Sequence, residues 1–211
     1  AAPAVFLEVN LGGYFFHFRA AVHMHVVDLD LGQRCGANPE FRLRVGKLCA
    51  LAFIPVVDVA TWFEKLAGEF ESPEPPLLTH FEKTWVGEKR ARARTRKAPT
   101  FPVDLWNVRD RALAKKNLTT NAAGLFHRHH ATQFHKGAHP SSPTFIESLH
   151  KQQRLTNRDI TDVIMGGEKK ERDTTRIRND RQFILVEKFL RDGDGMALLT
   201  NMAKLRMGAT E

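Results

Sequence analysis

The sequence predicts a mainly α-helical fold with at most one or two short strands. Apolar residues return at three- and four-residue spacing in segment after segment. Asn-Pro, Gly and Pro stand where those patterns begin and stop. Only one short run, Val5 to Val9, alternates in the manner of a strand, and it does so imperfectly. The chain has 211 residues, of which 42% are apolar. That suffices for one domain, or a domain with a tail, around a real core.

Gly12 and Gly13 break the chain after the apolar run. From Tyr14 to Leu31, Phe15, Phe18, Val22, Val26 and Leu29 keep helical register. Asn38 followed by Pro39 supplies a side-chain cap and then a residue that needs no N–H. Phe41, Val45, Leu48 and Ala52 form that helix's buried stripe, and Pro55 ends it. Asp58 is placed to cap a helix that turns Val59, Trp62, Phe63, Leu66 and Phe70 inward. Ser72 to Pro76 is a connector, and Leu78, Phe81 and Trp85 mark a short helix stopped at Gly87.

After residues 88–99 the helical pattern resumes from Phe101 to Lys116 with Leu105, Trp106 and Leu113 as anchors. A polar turn, Asn117 to Thr120, leads to a helix near Asn121. Ser142, Pro143 and Thr144 open another, carrying Phe145, Ile146 and Leu149. Thr156 to Asp159 resembles a capping box for a separate helix with Ile160, Val163 and Ile164, ending at Gly166-Gly167. Ile177, Ile184 and Phe189 mark a last long helix that ends near Gly193, with a short helical tail to Met207.

The net charge of +8 and a pI near 9.8 favour an anionic partner, nucleic acid first. Residues 88–99 concentrate that charge: Lys89, Arg90, Arg92, Arg94, Arg96 and Lys97 against Glu88 leave +5. No apolar period interrupts them, so the segment reads as an exposed loop. Arginines spaced by small residues can reach several phosphates, each contact releasing counterions. A solvated charged loop or a localisation signal has the same composition.

Cys35 and Cys49 sit in no CxxC pattern, so free thiols are expected rather than a disulfide framework or a thiolate zinc site. His127, His129, His130, His135 and His139 cluster, and His127 and His130 share the i,i+3 spacing that zinc can use. No Cys lies among them and no HExxH occurs, so a polar helix face is the better interpretation and no metal site is assigned. His17, alone among aromatics, reads as a packed histidine. No Gly-rich phosphate loop and no Ser/His/Asp spacing is present. No stretch reaches the length of a membrane span, and the start lacks a signal-peptide layout. A start without Met, close to an apolar run, is the pattern of a fragment.

Several stretches, in order, resemble the Mutator-like element (MULE) DNA transposases. Gly13-Tyr14-Phe15-Phe16-His17-Phe18 resembles a Gly-Cys-aromatic-Phe-His segment. Pro39-Glu40-Phe41 with Lys47 to Val56 resembles "PEF … LxALAFxPV". Phe81 to Gly87 resembles "FExTWIG", and Phe101 to Asn107, after a basic run, resembles "FPxxLWN". Thr119 to Arg128 resembles "TNNAAEGWHR", and Phe145 to Leu149 with its continuation resembles the family's ending. The order and gaps agree from about residue 8 to about residue 205.

The resemblance implies the helical insertion and C-terminal helices of an RNase H-like domain, in which two Asp and one Glu hold two divalent ions, Mg in an intact relative. Residues 1–130 would be the C-terminal part of that domain with its insertion and basic loop, and 131–211 a helical tail. The chain would begin after the second Asp, leaving the helix that carries Gly124 without the sheet it packs on. Two departures follow from the alignment of motifs. Tyr14 stands where the family has the Cys of Cys-x-x-His17, and Gly124 stands where it has the metal-ligating Glu. Glycine offers no oxygen ligand, so the expectation is a transposase fragment without catalysis and without a cofactor of its own. The contacts expected with DNA are Lys89, Arg90, Arg92, Arg94, Arg96, Lys97, His127 and Arg128. The implied location is the nucleus. Self-association is compatible with this family, whereas neither a membrane nor a small-molecule substrate is implied. The alternative is a domesticated DNA- or protein-binding module without catalysis.

Overall fold

A computed structural model of the chain describes residues 15–72, 74–90, 95–116, 118, 141–166 and 173–207. Among these the fold is mainly α-helical and has no strand; one isolated antiparallel bridge joins Lys89 and Arg96. The Val5–Val9 run, the 121 helix with Gly124, and the histidine cluster lie outside the described residues. The chain divides into two compact units, residues 1–119 with 177–211, and residues 120–176.

In the first unit, α1 (Phe15–Asp28) buries Phe15, Phe18, Val22 and Val26, the stripe its spacing predicts. After the short α2 (Gly32–Ala37), α3 (Pro39–Ala50) starts at Asn38, whose side-chain oxygen accepts from the amides of Glu40 at 2.9 Å and Phe41 at 3.0 Å. That satisfies two of the four amides a helix start leaves open. The helix ends at Ala50, ahead of Pro55, and tightens into a 3₁₀ turn over Leu51–Phe53. A second 3₁₀ turn, Val56–Asp58, runs directly into α4 (Val59–Ala67). Asp58 therefore has helical backbone angles and makes no side-chain cap, contrary to expectation.

The 72–76 connector also differs from expectation, because α5 (Pro75–Phe81) begins inside it and Glu74 is fully buried. The Glu74 carboxylate receives Arg44 at 2.7 Å and Arg34 at 2.9 Å, and accepts the Glu71 amide at 3.1 Å. Burial alone would push this carboxyl up. The hydrogen bonds from Arg44 and the Glu71 amide, with the charges of Arg44 and Arg34, hold it below its ordinary 4.5.

Helix α5 continues as a π turn, Glu82–Val86, which Gly87 closes by donating its amide to the Glu82 carbonyl at 2.6 Å. Gly87 has φ +95°, and any Cβ there would strike the Lys97 carbonyl, so the position admits only glycine. Beyond the basic loop come α6 (Val103–Trp106) and α7 (Arg109–Leu113), where Trp106 is buried and its neighbour Leu105 is exposed rather than an anchor.

Helix α9 (Asp173–Asp192) buries Gln182, Val186 and Phe189, whereas Ile177 and Ile184, expected to face inward, are exposed. The stretch read from sequence as a tail is α10 (Gly195–Met207), which packs along α3 and buries Leu198, Leu199, Met202 and Ala203. The two helices approach closely at Gly46, where a Cβ would meet the Ala203 methyl at 3.0 Å.

In the second unit, α8 (Ser142–Ile164) is one 23-residue helix. It runs straight through Thr156–Asp159, so those residues do not cap a new helix. Asn and Asp cost little in an exposed helical turn, and after Pro143 in the first turn no Pro or Gly breaks it. Phe145, Ile146, Leu149, Leu155 and Ile160 are exposed along it.

Two histidines in the first unit make stability depend on pH. Burial first, then the charge of Arg19, lowers His23 below its ordinary 6.5. Burial, then His25, lowers His80; Lys83 acts in the same direction and Asp28 against it. The His25 and His80 rings stack with centroids 3.5 Å apart. A folded state that resists protonation loses ground to an unfolded chain that titrates normally, so stability falls as pH drops below about 6.5. The urea midpoint is expected to fall between pH 7 and 5, and less steeply in His23→Gln and His80→Asn. Equal slopes in the variants and the native chain would exclude these two groups as the cause.

Candidate nucleic-acid interface

Four of the stretches that carry the resemblance meet where the basic loop is rooted. Trp106 donates its indole N–H to the Trp85 carbonyl at 3.2 Å, joining Phe101–Asn107 to Phe81–Gly87. The Asn107 side-chain amide donates to the Ile54 carbonyl at 2.7 Å, and the Val108 amide to the Ala52 carbonyl at 2.8 Å. These bonds satisfy carbonyls that the 3₁₀ turn after α3 leaves open. Phe18 of α1 stacks on Trp106 with centroids 4.6 Å apart and meets Trp85 edge-on at 4.9 Å. The two ends of the 88–99 loop therefore leave a rigid aromatic base.

The loop is held at its root. The Lys97 amide donates to the Glu88 carbonyl at 2.9 Å, next to the Lys89–Arg96 bridge. Arg96, whose side chain is 16% exposed, donates Nη1 to Glu82 Oε1 and to the Gly87 carbonyl, both at 2.6 Å, and Nη2 to Glu64 Oε1. Its fork is already filled. Lys89 pairs with Glu64 at 3.3 Å and Lys97 with Glu88 at 2.8 Å, but these lysines are 69% and 59% exposed. Solvent-screened pairs of that kind contribute little and exchange readily for a phosphate. The Arg96 and Lys89 contacts hold the Glu64 carboxyl below its ordinary range, and Lys97 does the same for Glu88.

The predicted DNA-contacting residues thus divide. Lys89, Arg90 and Lys97 are exposed, and Arg90 has no ion pair among the described residues; Arg96 is a tether at the loop's base. Arg92, Arg94, His127, Arg128 and Gly124 lie outside the described residues. His17 is exposed on α1, not packed as its aromatic neighbours suggested, with its ring edge-on to Phe16 at 5.4 Å. Sequence alone missed Glu64 and Glu82 as partners of the loop. Glu82 lies within the stretch leading into it, so proximity could have signalled it. Glu64 stands on the outer face of α4 and had no local signal.

Cys35 and Cys49 are free, and Cys49 is buried. No helix of the described residues is long and apolar enough to cross a membrane. Comparisons with protein-family models, curated proteins and solved structures find no match to this chain.

Proposed function

We propose that this chain is the helical part of a MULE-type transposase, a nuclear protein that holds DNA through the 88–99 loop and does not itself cleave it. The observation that supports this is the convergence of the quoted stretches. Phe15–Phe18, the turn after α3, Phe81–Gly87 and Phe101–Asn107 form one hydrogen-bonded aromatic core, and the basic loop leaves that core from both ends. Arginines presented on a fixed base make phosphate contacts at a smaller ordering cost than on a free tail.

The two divalent ions of an intact relative need carboxylate oxygens. Gly124, which the resemblance aligns with the metal-ligating Glu, has no side-chain donor to offer them.

Duplex DNA binding titrated against salt tests the proposal. The affinity of the native chain is expected to fall steeply with salt. Replacing Arg90, Arg92 and Arg94 with Gln should flatten the slope by about 0.9 for each arginine that contacts a phosphate. Arg96→Gln should lower the melting temperature, because it leaves Glu82 and Glu64 without their partner. A slope near zero for the native chain would overturn DNA binding, and metal-dependent nicking of DNA would overturn the absence of cleavage.

A further inference from the structure

A cavity of about 400 Å³ lies between α1, α2, α3 and α10, and the charged side chains lining it are three arginines. Arg19 and His23 reach it from α1, Arg42 from α3 and Arg206 from α10, with the thiols of Cys35 and Cys49 beside them. No carboxylate lines it among the described residues. The rest of the first unit matches its enclosed cations. Lys47 meets Glu69, Arg44 meets Glu74, and Arg96 meets Glu64 and Glu82. Arg206 is the exception: its guanidinium is largely out of water with no carboxylate beside it among the described residues, which is costly.

The arginines are also oriented. Arg19 donates Nη1 to the Arg206 carbonyl at 3.1 Å, which fixes its plane against α10. The Arg206 guanidinium lies over the Phe15 ring at 4.7 Å, and its buried Nε has no acceptor among the described residues. Burial, then the charges of Arg178 and Arg19, pushes Arg206 below its ordinary range. Arg42 stands exposed and closes the set from the side of α3.

We propose that this cavity binds a small phosphomonoester, with Arg19, Arg42 and Arg206 gripping the phosphate and the apolar and thiol wall receiving the organic group. Three guanidiniums offer the forked donors that a tetrahedral oxyanion takes up. The volume falls within the range of small-molecule pockets and exceeds what a bare phosphate fills. Burial pushes the Cys49 thiol up to about 12 and raises Cys35 as well, so both stay protonated at neutral pH. A protonated thiol is a poor nucleophile, so neither cysteine attacks the bound ester. This goes beyond the DNA-binding proposal and shares no residue with the basic loop.

Phenyl phosphate titrated into the full chain, by calorimetry and by melting temperature, tests the proposal. Saturable binding is expected, beyond the effect of sodium chloride at equal ionic strength. Arg42→Gln and Arg19→Gln should each weaken it by about tenfold or more, the effect of losing a charge-assisted hydrogen bond. Arg42 is exposed, so its variant keeps the fold, and Arg90→Gln in the basic loop should bind phenyl phosphate as the native chain does. Absence of saturable binding, or equal affinity in Arg42→Gln, would overturn the proposal. Competition between a DNA duplex and phenyl phosphate that vanishes in Arg42→Gln would overturn the small-ligand assignment.

Discussion

Replacing Glu74 with Ala is expected to destabilise the chain by about 3–5 kcal/mol, the cost of removing one partner from a buried ion pair. Glu74 is fully buried, while the side chains of Arg44 and Arg34 are 12% and 35% exposed. Arg44 therefore carries most of the penalty, since Arg34 regains water more easily. Glu74→Gln keeps the shape and removes the charge, and should recover only part of the loss. Because the folded carboxyl sits below its ordinary 4.5, the native chain owes stability to Glu74 above that pH and loses it as pH falls further. Urea unfolding at pH 7 and pH 4 measures both effects. A loss under about 1 kcal/mol for Glu74→Ala at pH 7 would mean the cluster is not a buried pair in energetic terms.

Trp106→Ala is expected to cost about 3–5 kcal/mol, the range for emptying a large aromatic site in a core. Trp106 is 2% exposed, stacks on Phe18, and supplies the donor for the Trp85 carbonyl. Trp106→Phe keeps much of the stacking and loses the hydrogen bond, so it should fall between the native chain and the alanine variant. Leu105→Ala, one residue away but exposed, should change stability by about 0.5 kcal/mol or less. Denaturant midpoints for the three variants check the order. Similar losses at positions 105 and 106 would contradict the packing described. DNA binding should weaken in Trp106→Ala as well, because the loop loses its base.

Part of the fold was legible from local pattern. The stripe of α1, the Asn38 cap with Pro39, and the stop at Gly87 all came from residues within a turn or two of one another. The failures share a cause. Thr156–Asp159 has the letters of a cap, yet α8 passes through it, because a weak local signal yields to continuous helix around it. Ile177 and Ile184 have the letters of a stripe, yet α9 turns Gln182 and Val186 inward, because its neighbours decide which face is covered. Glu74 looked like part of a connector because both of its arginines stand at least 30 residues away.

The sequence by itself determined that the chain is helical, where some helices begin, as at Asn38-Pro39, and where positive charge collects. Those properties rest on contacts within about four residues, and these are visible in the order of the letters. Only the tertiary structure decided which charges are spent. Arg96 is consumed by Glu64 and Glu82, while Arg90, six residues earlier in the same run, has no ion pair among the described residues. Arg19, Arg42 and Arg206, far apart in the chain, come together around one cavity. Coulomb interactions depend on distance in space and on burial, neither of which a charge count along the chain contains.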